Sequence, residues 1–536
     1  MSAFTTRRIR EEDPGRDRAE RGGWRGAGGV VRSSRTRAVA LLVRTVLLSK
    51  RIGLLLRGWY RGWKARQEAN GRTQRLRRIL RRILFILLGI LLALLVLAGT
   101  VKALVSSGFL GIHTLFSVAG KELPTDEDGY TNFLLLGRGD ASHEGPDLTD
   151  TIIIASLDPW KTRSAVLLSV PRDLFIADSR TITRGRINEF YRDYKGYLRR
   201  KEGQSEEEAS RNAMRFLADE IGDRLHLPIH HVLMVDFMAF EQAVDALGGV
   251  DIDVPYDIMD TEYPGPDYTY QTFSIKAGRQ HLDGATALQY ARSRHTTSDF
   301  GRSARQQQLI TALGEQARET GLLGSPSRIT QFTRILAEHT DMTMDFGELL
   351  GAAKLGKRID QSRVISMQLN NENGYDISLV SPGGFLYNPP RDQFDGASVL
   401  LPISIPEYPV TWKQLQAFAI LLFKMRTIHL SHPQIYVYNA GAQSGLGRLL
   451  ATELTRYGLA PAETANFPTA EKRDTSVVIA RTEADKPVAL FFSSLFRLPL
   501  ELLDPASPLM QDLGQVTIVL GKDYVYQPIQ NLLLSP

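Results

Sequence analysis

The 536-residue chain contains no cysteine, so it has no disulfides and no thiolate metal site; this absence does not fix its compartment. It also lacks an HExxH pair, a GxSxG elbow and a P-loop, which removes the common zinc-protease, serine-hydrolase and nucleotide-binding signatures. His230, His231, His281 and His295 do not fall at a metal-ligand spacing, and no residue pattern points to a Ser-His-Asp hydrolase. No internal repeat is present. Acidic residues are scarce at the start: residues 1–82 hold 23 Lys and Arg against 6 Asp and Glu, whereas the remainder holds 42 against 53. A basic arm on an acidic body implies a membrane or a nucleic acid near the arm.

Residues 1–37 have few aliphatic side chains among Arg, Gly and Ser, too few to offset the entropy of ordering, and are expected to be disordered. Over 38–62, leucines interleave with Arg44, Lys50, Arg51, Arg57 and Arg61. Two readings stand: a basic helix on an anionic membrane surface, or a poorly ordered cytoplasmic tail. Residues 83–101 carry no charge. At about 1.5 Å per residue they span about 28 Å, close to a hydrocarbon core of about 30 Å. Arg75, Arg77, Arg78, Arg81 and Arg82 precede them and Lys102 follows. The positive-inside rule then predicts a single-pass anchor in the cell membrane, with the N-terminus cytoplasmic and the rest extracytoplasmic. The run starts far from the first residue and no clear cleavage site follows, so it reads as an anchor rather than a removed signal. With that tether, lipid headgroups are the expected partner of the arm and nucleic acid is not.

After a stalk at 102–130 the pattern changes. Phe133–Leu136, Thr151–Leu157 and Ala165–Val170 are short continuous apolar runs, suited to central strands covered on both faces. Asp158-Pro159-Trp160-Lys161 reads as a turn. A helix is predicted at about 205–222, with Ser205 and Glu208 at capping-box spacing, then a strand at Val232–Val235, a helix at Phe237–Leu247 closed by Gly248-Gly249, and a strand at Val250–Val254. Tyr270–Ile275 and Ala287–Arg294 are read as strand or helix-to-strand, a helix starts near Arg302, the helical region runs to about 357, and Arg363–Leu369 is a late strand. This alternation predicts an α/β layered domain over 131–405. Residues 406–432 are expected as a linker, and 433–525 as a small C-terminal α/β domain with strands at Gln434–Tyr438, Ser476–Ala480 and Val516–Leu520 and a helix at Ser444–Tyr457.

Two clusters carry chemistry. Asp140 and Asp150 sit at strand ends, where open α/β sheets bind ligands. Two carboxylates there suit Mg²⁺, which takes few protein oxygens and shares the rest with phosphates; loop aspartates also serve as turn residues. In Tyr290-Ala291-Arg292-Ser293-Arg294, an extended backbone would put both guanidiniums on one face. Arg302 and Gln306 are four apart on a helix, with Arg305 near that face. Guanidiniums match phosphate oxygens bidentately, so the cluster suits a pyrophosphate, or else is a solvated basic face.

At these residues the chain resembles the LytR-CpsA-Psr family, over Asn132 to Gln308 and more weakly to about 405. The resemblance rests on Thr149-Asp150-Thr151, Val170-Pro171-Arg172-Asp173, Arg186-Ile187-Asn188, Val235-Asp236-Phe237, Leu247-Gly248-Gly249-Val250-Asp251, Tyr290-Ala291-Arg292-Ser293-Arg294, and Asp299-Phe300-Gly301-Arg302 with Arg305-Gln306-Gln307. Val437-Tyr438-Asn439-Ala440-Gly441 and Ser444-Gly445-Leu446 resemble the LytR C-terminal domain. The resemblance implies a three-layer α/β/α domain with a central mixed sheet. It implies an extracytoplasmic phosphotransferase that moves a glycopolymer from a polyprenyl-pyrophosphate carrier to peptidoglycan. By position, Asp140 and Asp150 match the Mg²⁺-linked aspartates, and Arg172, Arg292, Arg294, Arg302 and Gln306 match pyrophosphate-binding residues; Arg292, Arg294 and Asp150 carry the catalytic roles. Asp140, Asp150 and Asp173 are candidates for the base. Two departures stand out. Gly137-Arg138-Gly139-Asp140 has one residue more than the common Gly-x-Asp, and Leu148 stands where an Arg often precedes the Ser/Thr-Asp pair, a contact that Arg138 could replace. A non-catalytic polyprenyl-phosphate-binding or regulatory envelope protein, and a pyrophosphatase on the same lipids, are the alternatives. A buried apolar groove for the prenyl chain is expected as well.

Overall fold

The apolar runs of the middle of the chain become neighbouring strands. The computed structural model describes residues 121–139, 147–179, 181–182, 184–265, 269–294, 299–321, 340–374, 379–469 and 472–534. The chain divides into two units, 1–110 and 111–536, and every described residue lies in the second. The expected surface helix at 38–62 and membrane span at 83–101 lie outside the described residues. Among the described residues no helix is long and apolar enough to cross a membrane.

The central sheet contains β1 (Thr131–Arg138), β2 (Thr149–Asp158), β3 (Ser164–Ser169), β4 (His231–Val235), β9 (Thr340–Met342) and β10 (Val364–Gln368), in the order β9-β4-β1-β2-β3-β10. It is mixed: β4 is parallel to β1 and β10 to β3, while β2 runs against β1 and β3, and β9 against β4. Its two faces are apolar, as the continuous runs require. Leu134, Ile152, Ile154, Val166 and Leu168 pack on one side with Phe190 of α1 (Ile187–Lys201) and Leu217 of α2 (Glu206–Leu225). Phe133, Ile153, Ala155 and Leu167 pack on the other with Ile310 of α5 (Asp299–Glu319) and Leu349 of α6 (Phe346–Gly356). The result is the expected α/β/α layering. Between α2 and α5 the chain forms α3 (Phe237–Ala246), β5 (Val250–Val254), the hairpin β6 (Ile258–Pro264) with β7 (Tyr270–Ile275), β8 (Gly278–Leu282) paired with β5, and α4 (Gly284–Arg292).

Three expectations change. The stretch 287–294 is not extended: Arg292 closes α4, and only from Ser293 does the backbone open. The N–H of Thr286 is capped by Asp283, and Ala287, Leu288, Tyr290 and Ala291 bury one helical face, so helix wins over alternation. Helix α1 also went unforeseen, because its buried face mixes Ile187, Phe190, Tyr191 and Leu198 with the polar Asn188 and Lys195 and so shows no continuous apolar row. Finally, 406–432 is not an open linker. It holds α7 (Lys413–Ala419), a π-turn at Ile420–Lys424 and α8 (Thr427–Leu430). Leu415, Phe418, Leu421, Leu422 and Phe423 are fully buried there.

That helical segment joins two sheets. The second sheet contains β11 (Ile435–Asn439), β12 (Glu463–Asn466), β13 (Val477–Ala480), β14 (Leu500–Leu502) and β15 (Val516–Leu520), in the order β12-β11-β15-β13-β14. With it go α9 (Leu446–Arg456), α10 (Lys486–Phe496) and α11 (Ile529–Leu534). One apolar cluster runs from Leu134 and Val166 through Phe418 and Leu421 to Val437 and Ile518. Arg426, with no solvent exposure, fixes the segment to the first sheet. Its Nε donates to Phe423 O at 3.0 Å and its Nη2 to Ser156 Oγ at 2.6 Å, and the guanidinium stacks 3.9 Å from the Tyr130 ring centre.

Glu453 on α9 is fully buried and holds the C-terminal segment: Ile529 N donates to its Oε1 at 2.6 Å and the Tyr526 hydroxyl to its Oε2. Burial pushes its carboxyl up to about 7. The unfolded chain ionises near 4.5. Stability is therefore greatest below pH 4.5 and is lost as pH rises to about 7, where the native carboxyl also ionises. The gap corresponds to about 3 kcal/mol at roughly 1.4 kcal/mol per pH unit. Glu453→Gln is expected to flatten the decline in melting temperature between pH 4.5 and 7, at the loss of one of the two hydrogen bonds the carboxylate accepts; a parallel decline in both proteins would refute this.

Candidate phosphate site

The geometry starts from strand direction. β1, β3, β4 and β10 run the same way, so their carboxyl ends share one edge with the start of β2. Ligands of open α/β sheets bind along such an edge. Arg138 closes β1, Asp150 opens β2, Arg172 follows β3, and Phe237 follows β4. Three strand spacings separate β3 from β4, about 14 Å.

Asp150 lies on a β-bulge. Gly137 pairs with Thr151 but Arg138 with Thr149, so Asp150 is the extra residue. A bulge re-aims the side chain it carries. Gly137 is required beside it, because a Cβ there would stand 2.9 Å from Thr151 Cβ. The Asp150 side chain is 43 % exposed. Its Oδ1 accepts from Arg172 Nη1 and from Asn188 Nδ2, both at 3.2 Å. Its Oδ2 takes no hydrogen bond among the described residues, and Arg302 Nη2 donates to its backbone oxygen at 3.5 Å. The structure thus brings Asp150, Arg172 and Arg302 together. Arg302 is buried.

Arg292 reaches the same sheet edge. Its guanidinium lies 4.2 Å from the ring centre of Phe237, and its Nη1 donates to the Tyr263 hydroxyl at 3.3 Å. Gln306 Nε2 donates to Ala291 O at 3.4 Å, tying the end of α4 to α5 one turn after Arg302. Arg305, at first sight part of the basic face, points inward. Its Nε donates to Tyr290 O at 2.9 Å and its Nη2 to Ser293 O, capping the open carbonyls of α4. Burial pushes the Tyr290 hydroxyl, which donates to Gln308, up to about 12. Arg294 is exposed, with its backbone N–H held by Asp260 Oδ2 at 2.9 Å.

Asp173 is engaged differently: its Oδ1 stands 3.7 Å from Arg186 and its Oδ2 3.9 Å from Arg172. Arg138 is taken up by acids as well, with Asp341 at 3.0 Å and Asp147 at 3.5 Å. Beside it the buried Lys195 holds both oxygens of Asp147 at 3.0 Å and pairs with Glu206 at 2.6 Å. Sequence reasoning missed Lys195, the full role of Asn188, and Tyr191, whose hydroxyl accepts from Arg138 Nη1 at 3.4 Å. Their signal was a polar series at 188, 191 and 195, one face of a helix by its spacing of three and four. Asp140 lies outside the described residues, and among the described residues no three acids or histidines cluster as a metal site. Asp150 Oδ2 is nevertheless a fitting oxygen for Mg²⁺, a hard cation content with one or two carboxylates when phosphates complete its shell. Among the described residues, an apolar gap among Val170, Leu174, Ile187, Leu225 and Trp412 has a volume of about 10 Å³, room for about one water and not for a prenyl chain. A groove of about 510 Å³ lies between α5, β5 and β10, with the apolar Ile252, Ala304, Ala312 and Met367 and the polar Asp251 and Glu315 in its lining.

Residues 113–393 match the LytR_cpsA_psr family, and residues 433–524 match the LytR cell envelope-related transcriptional attenuator domain. The chain is 26% identical over 266 residues to the polyisoprenyl-teichoic acid–peptidoglycan teichoic acid transferase TagV of Bacillus subtilis, covering 48% of this chain and 60% of TagV. It is 24% identical over 405 residues to the cell wall biosynthesis protein LcpA of Corynebacterium glutamicum, covering 70% of each. It is also 28% identical over 196 residues to the regulatory protein MsrR of Staphylococcus aureus, covering 36% of this chain and 51% of MsrR. The chain thus spans about 60% of TagV's own length. Among solved structures, B. subtilis TagV aligns with a TM-score of 0.38 at 22% identity, covering 54% of this chain and 96% of that one. TagT bound to LI-WTA aligns at 0.37 and 17%, covering 56% and 95%.

Proposed function

The chain belongs to the LytR-CpsA-Psr family, and on that premise we propose that it is a membrane-anchored phosphotransferase. It moves a glycopolymer from a polyprenyl-pyrophosphate lipid to peptidoglycan. The observation that carries this reading is the meeting of Asp150, Arg172 and Arg302 at the sheet edge, with Arg292 at the neighbouring strand end. Phosphoryl transfer asks mainly for positioning and charge stabilisation, and this edge offers both.

A hydroxyl of peptidoglycan attacks the phosphorus that bears the glycan. The bond from that phosphorus to the bridging oxygen breaks, and polyprenyl phosphate leaves with the electron pair. Arg172, Arg292, Arg294, Arg302 and Gln306 bind and orient the pyrophosphate, and the arginines match the charge that builds on the leaving phosphate. Asp150, with Asp140, would hold Mg²⁺, which when bound neutralises pyrophosphate charge. The hydroxyl proton goes to one of the three candidate carboxylates, Asp140, Asp150 or Asp173; the one oxygen that Asp150 keeps clear is the one that would hold the cation, and Asp173 lies between two arginines. The anchor at 83–101 would keep the site beside a donor that cannot leave the bilayer. TagV is named for teichoic acid transfer and LcpA for cell wall biosynthesis, which supports the transfer reading, while MsrR is named a regulatory protein, which is the ground for the second, regulatory reading.

The test is incubation of the full chain in vesicles with a polyprenyl-pyrophosphate glycan and Mg²⁺, with and without peptidoglycan. Transfer only with peptidoglycan is the expected result. Phosphate release without acceptor would favour a pyrophosphatase, and tight binding with neither product a regulatory binder. Arg292→Ala and Arg294→Ala are each expected to lower turnover at least about tenfold with the fold kept. Wild-type turnover in both would remove the site assignment. A reporter fused after Pro536 should read as extracytoplasmic; a cytoplasmic signal would overturn the topology.

A further inference from the structure

Asn188 is the second residue of α1 and is 3 % exposed. Three of its groups meet the two sides of the site. Its backbone N–H donates to Arg172 O at 3.3 Å, its backbone oxygen accepts from Thr149 Oγ1 at 3.3 Å, and its Nδ2 donates to Asp150 Oδ1 at 3.2 Å. It therefore touches the residue before Asp150, Asp150 itself, and the arginine that shares the same carboxylate oxygen. Its Oδ1 is buried and has no hydrogen-bond partner among the described residues. A carboxylate only accepts, so the amide must turn its nitrogen toward Asp150 even though this leaves its own oxygen unpaired. The orientation serves Asp150 rather than Asn188.

The consequence falls on the other oxygen. With Oδ1 held by Arg172 and Asn188, moving it would break two hydrogen bonds from different elements, β3's connection and α1, and Oδ2 is the atom left without a donor among the described residues. Outer partners that orient a metal-binding carboxylate change cation affinity by about 10–100-fold. Resting on the phosphotransferase reading, we propose that Asn188 is a positioning residue that holds Asp150 so that Oδ2 faces the cation of the pyrophosphate site. Lys195, two turns further along α1, assists by clamping Asp147 and so holding the start of β2.

The probe is Mn²⁺ with inorganic pyrophosphate, followed by electron paramagnetic resonance and calorimetry on the full chain in detergent. Wild type is expected to bind Mn²⁺ in the presence of pyrophosphate. Asn188→Leu, of similar volume but without a donor, and Asn188→Ser, too short to reach Asp150, should each bind Mn²⁺ about 10–100-fold more weakly. Pyrophosphate binding without metal should be unchanged in both, which separates positioning from a general loss of structure. If the leucine variant fails to melt cooperatively, the serine variant gives the answer. Wild-type Mn²⁺ affinity in a folded variant, or no Mn²⁺ binding by wild type, overturns the proposal. Asn188-dependent Mn²⁺ binding without any glycan transfer by wild type would instead sink the transferase reading and leave the role of Asn188 standing.

Discussion

Asp150→Asn is expected to lower glycan transfer by about 10²–10³-fold, or roughly 3–4 kcal/mol of transition-state stabilisation, with the melting temperature nearly unchanged. The two halves of this expectation have separate grounds. Asp150 is 43 % exposed and sits on a bulge, outside the regular ladder, so exchanging one oxygen for an amide removes little packing. Yet the same residue receives Arg172 on one oxygen and keeps the other clear, and the asparagine can match neither the charge nor both acceptors. Arg172→Ala combined with Asp150→Asn should fall well short of the product of the single losses, because the two side chains act as one unit at 3.2 Å. Rates of transfer by the two single variants and the double variant, measured at saturating Mg²⁺, decide it. Near-wild-type turnover of Asp150→Asn would remove Asp150 from the chemistry, and multiplicative losses would show the pair to be uncoupled.

Arg426→Ala is expected to cost about 3–5 kcal/mol of stability. Truncating a fully buried long side chain leaves a cavity of the kind that costs about 2–5 kcal/mol. It also strips donors from Phe423 O and Ser156 O, and each buried acceptor left without a partner costs about 1–3 kcal/mol. Burial already pushes this guanidinium below its usual value, so the site holds a charge at a cost that only its hydrogen bonds and the Tyr130 ring offset. Arg426→Lys should recover little, because an ammonium cannot supply the fork that reaches Phe423 O and Ser156 at once. Calorimetry should show a melting temperature lower by roughly 5–10 °C. A shift under about 2 °C would mean that the helical segment is held by its apolar face alone.

Legibility in the sequence followed the kind of signal. The strands Phe133–Leu136, Thr151–Leu157 and Val232–Val235 were readable because continuous apolar runs admit few other structures, and β1, β2 and β4 cover them. Ser205 as a cap was readable because its pairing is local, and its side chain does accept from Glu208 N. Long-range features were not. Whether Arg292 lies on a strand or a helix depends on burial of Tyr290 and Ala291 against elements distant in the chain. Leu415 to Phe423 reads as a helix in hindsight, but the Pro, Gly and Asn just before it suggested that the whole stretch was loop. Arg305 and Arg302 look alike in the sequence, and only the position of the α4 carbonyls makes one a cap and the other a neighbour of Asp150. Family resemblance singled out Asp150, Arg172 and Arg302, which the structure brings together; the contacts of Asn188 and Lys195 were not legible, since their partners are 38 and 48 residues away.

The bulge at Asp150 has a bearing on how this chain can change over generations. From Thr151 to Leu157, β2 keeps register with β1 residue for residue, and the mismatch is confined to one position. Lys195 grips Asp147 three residues earlier, so the approach to Asp150 is fixed before the strand begins. Substitutions from Thr151 to Leu157 are thus constrained by the ladder, whereas position 150 answers to Arg172, Asn188 and Arg302 instead of to a partner on β1.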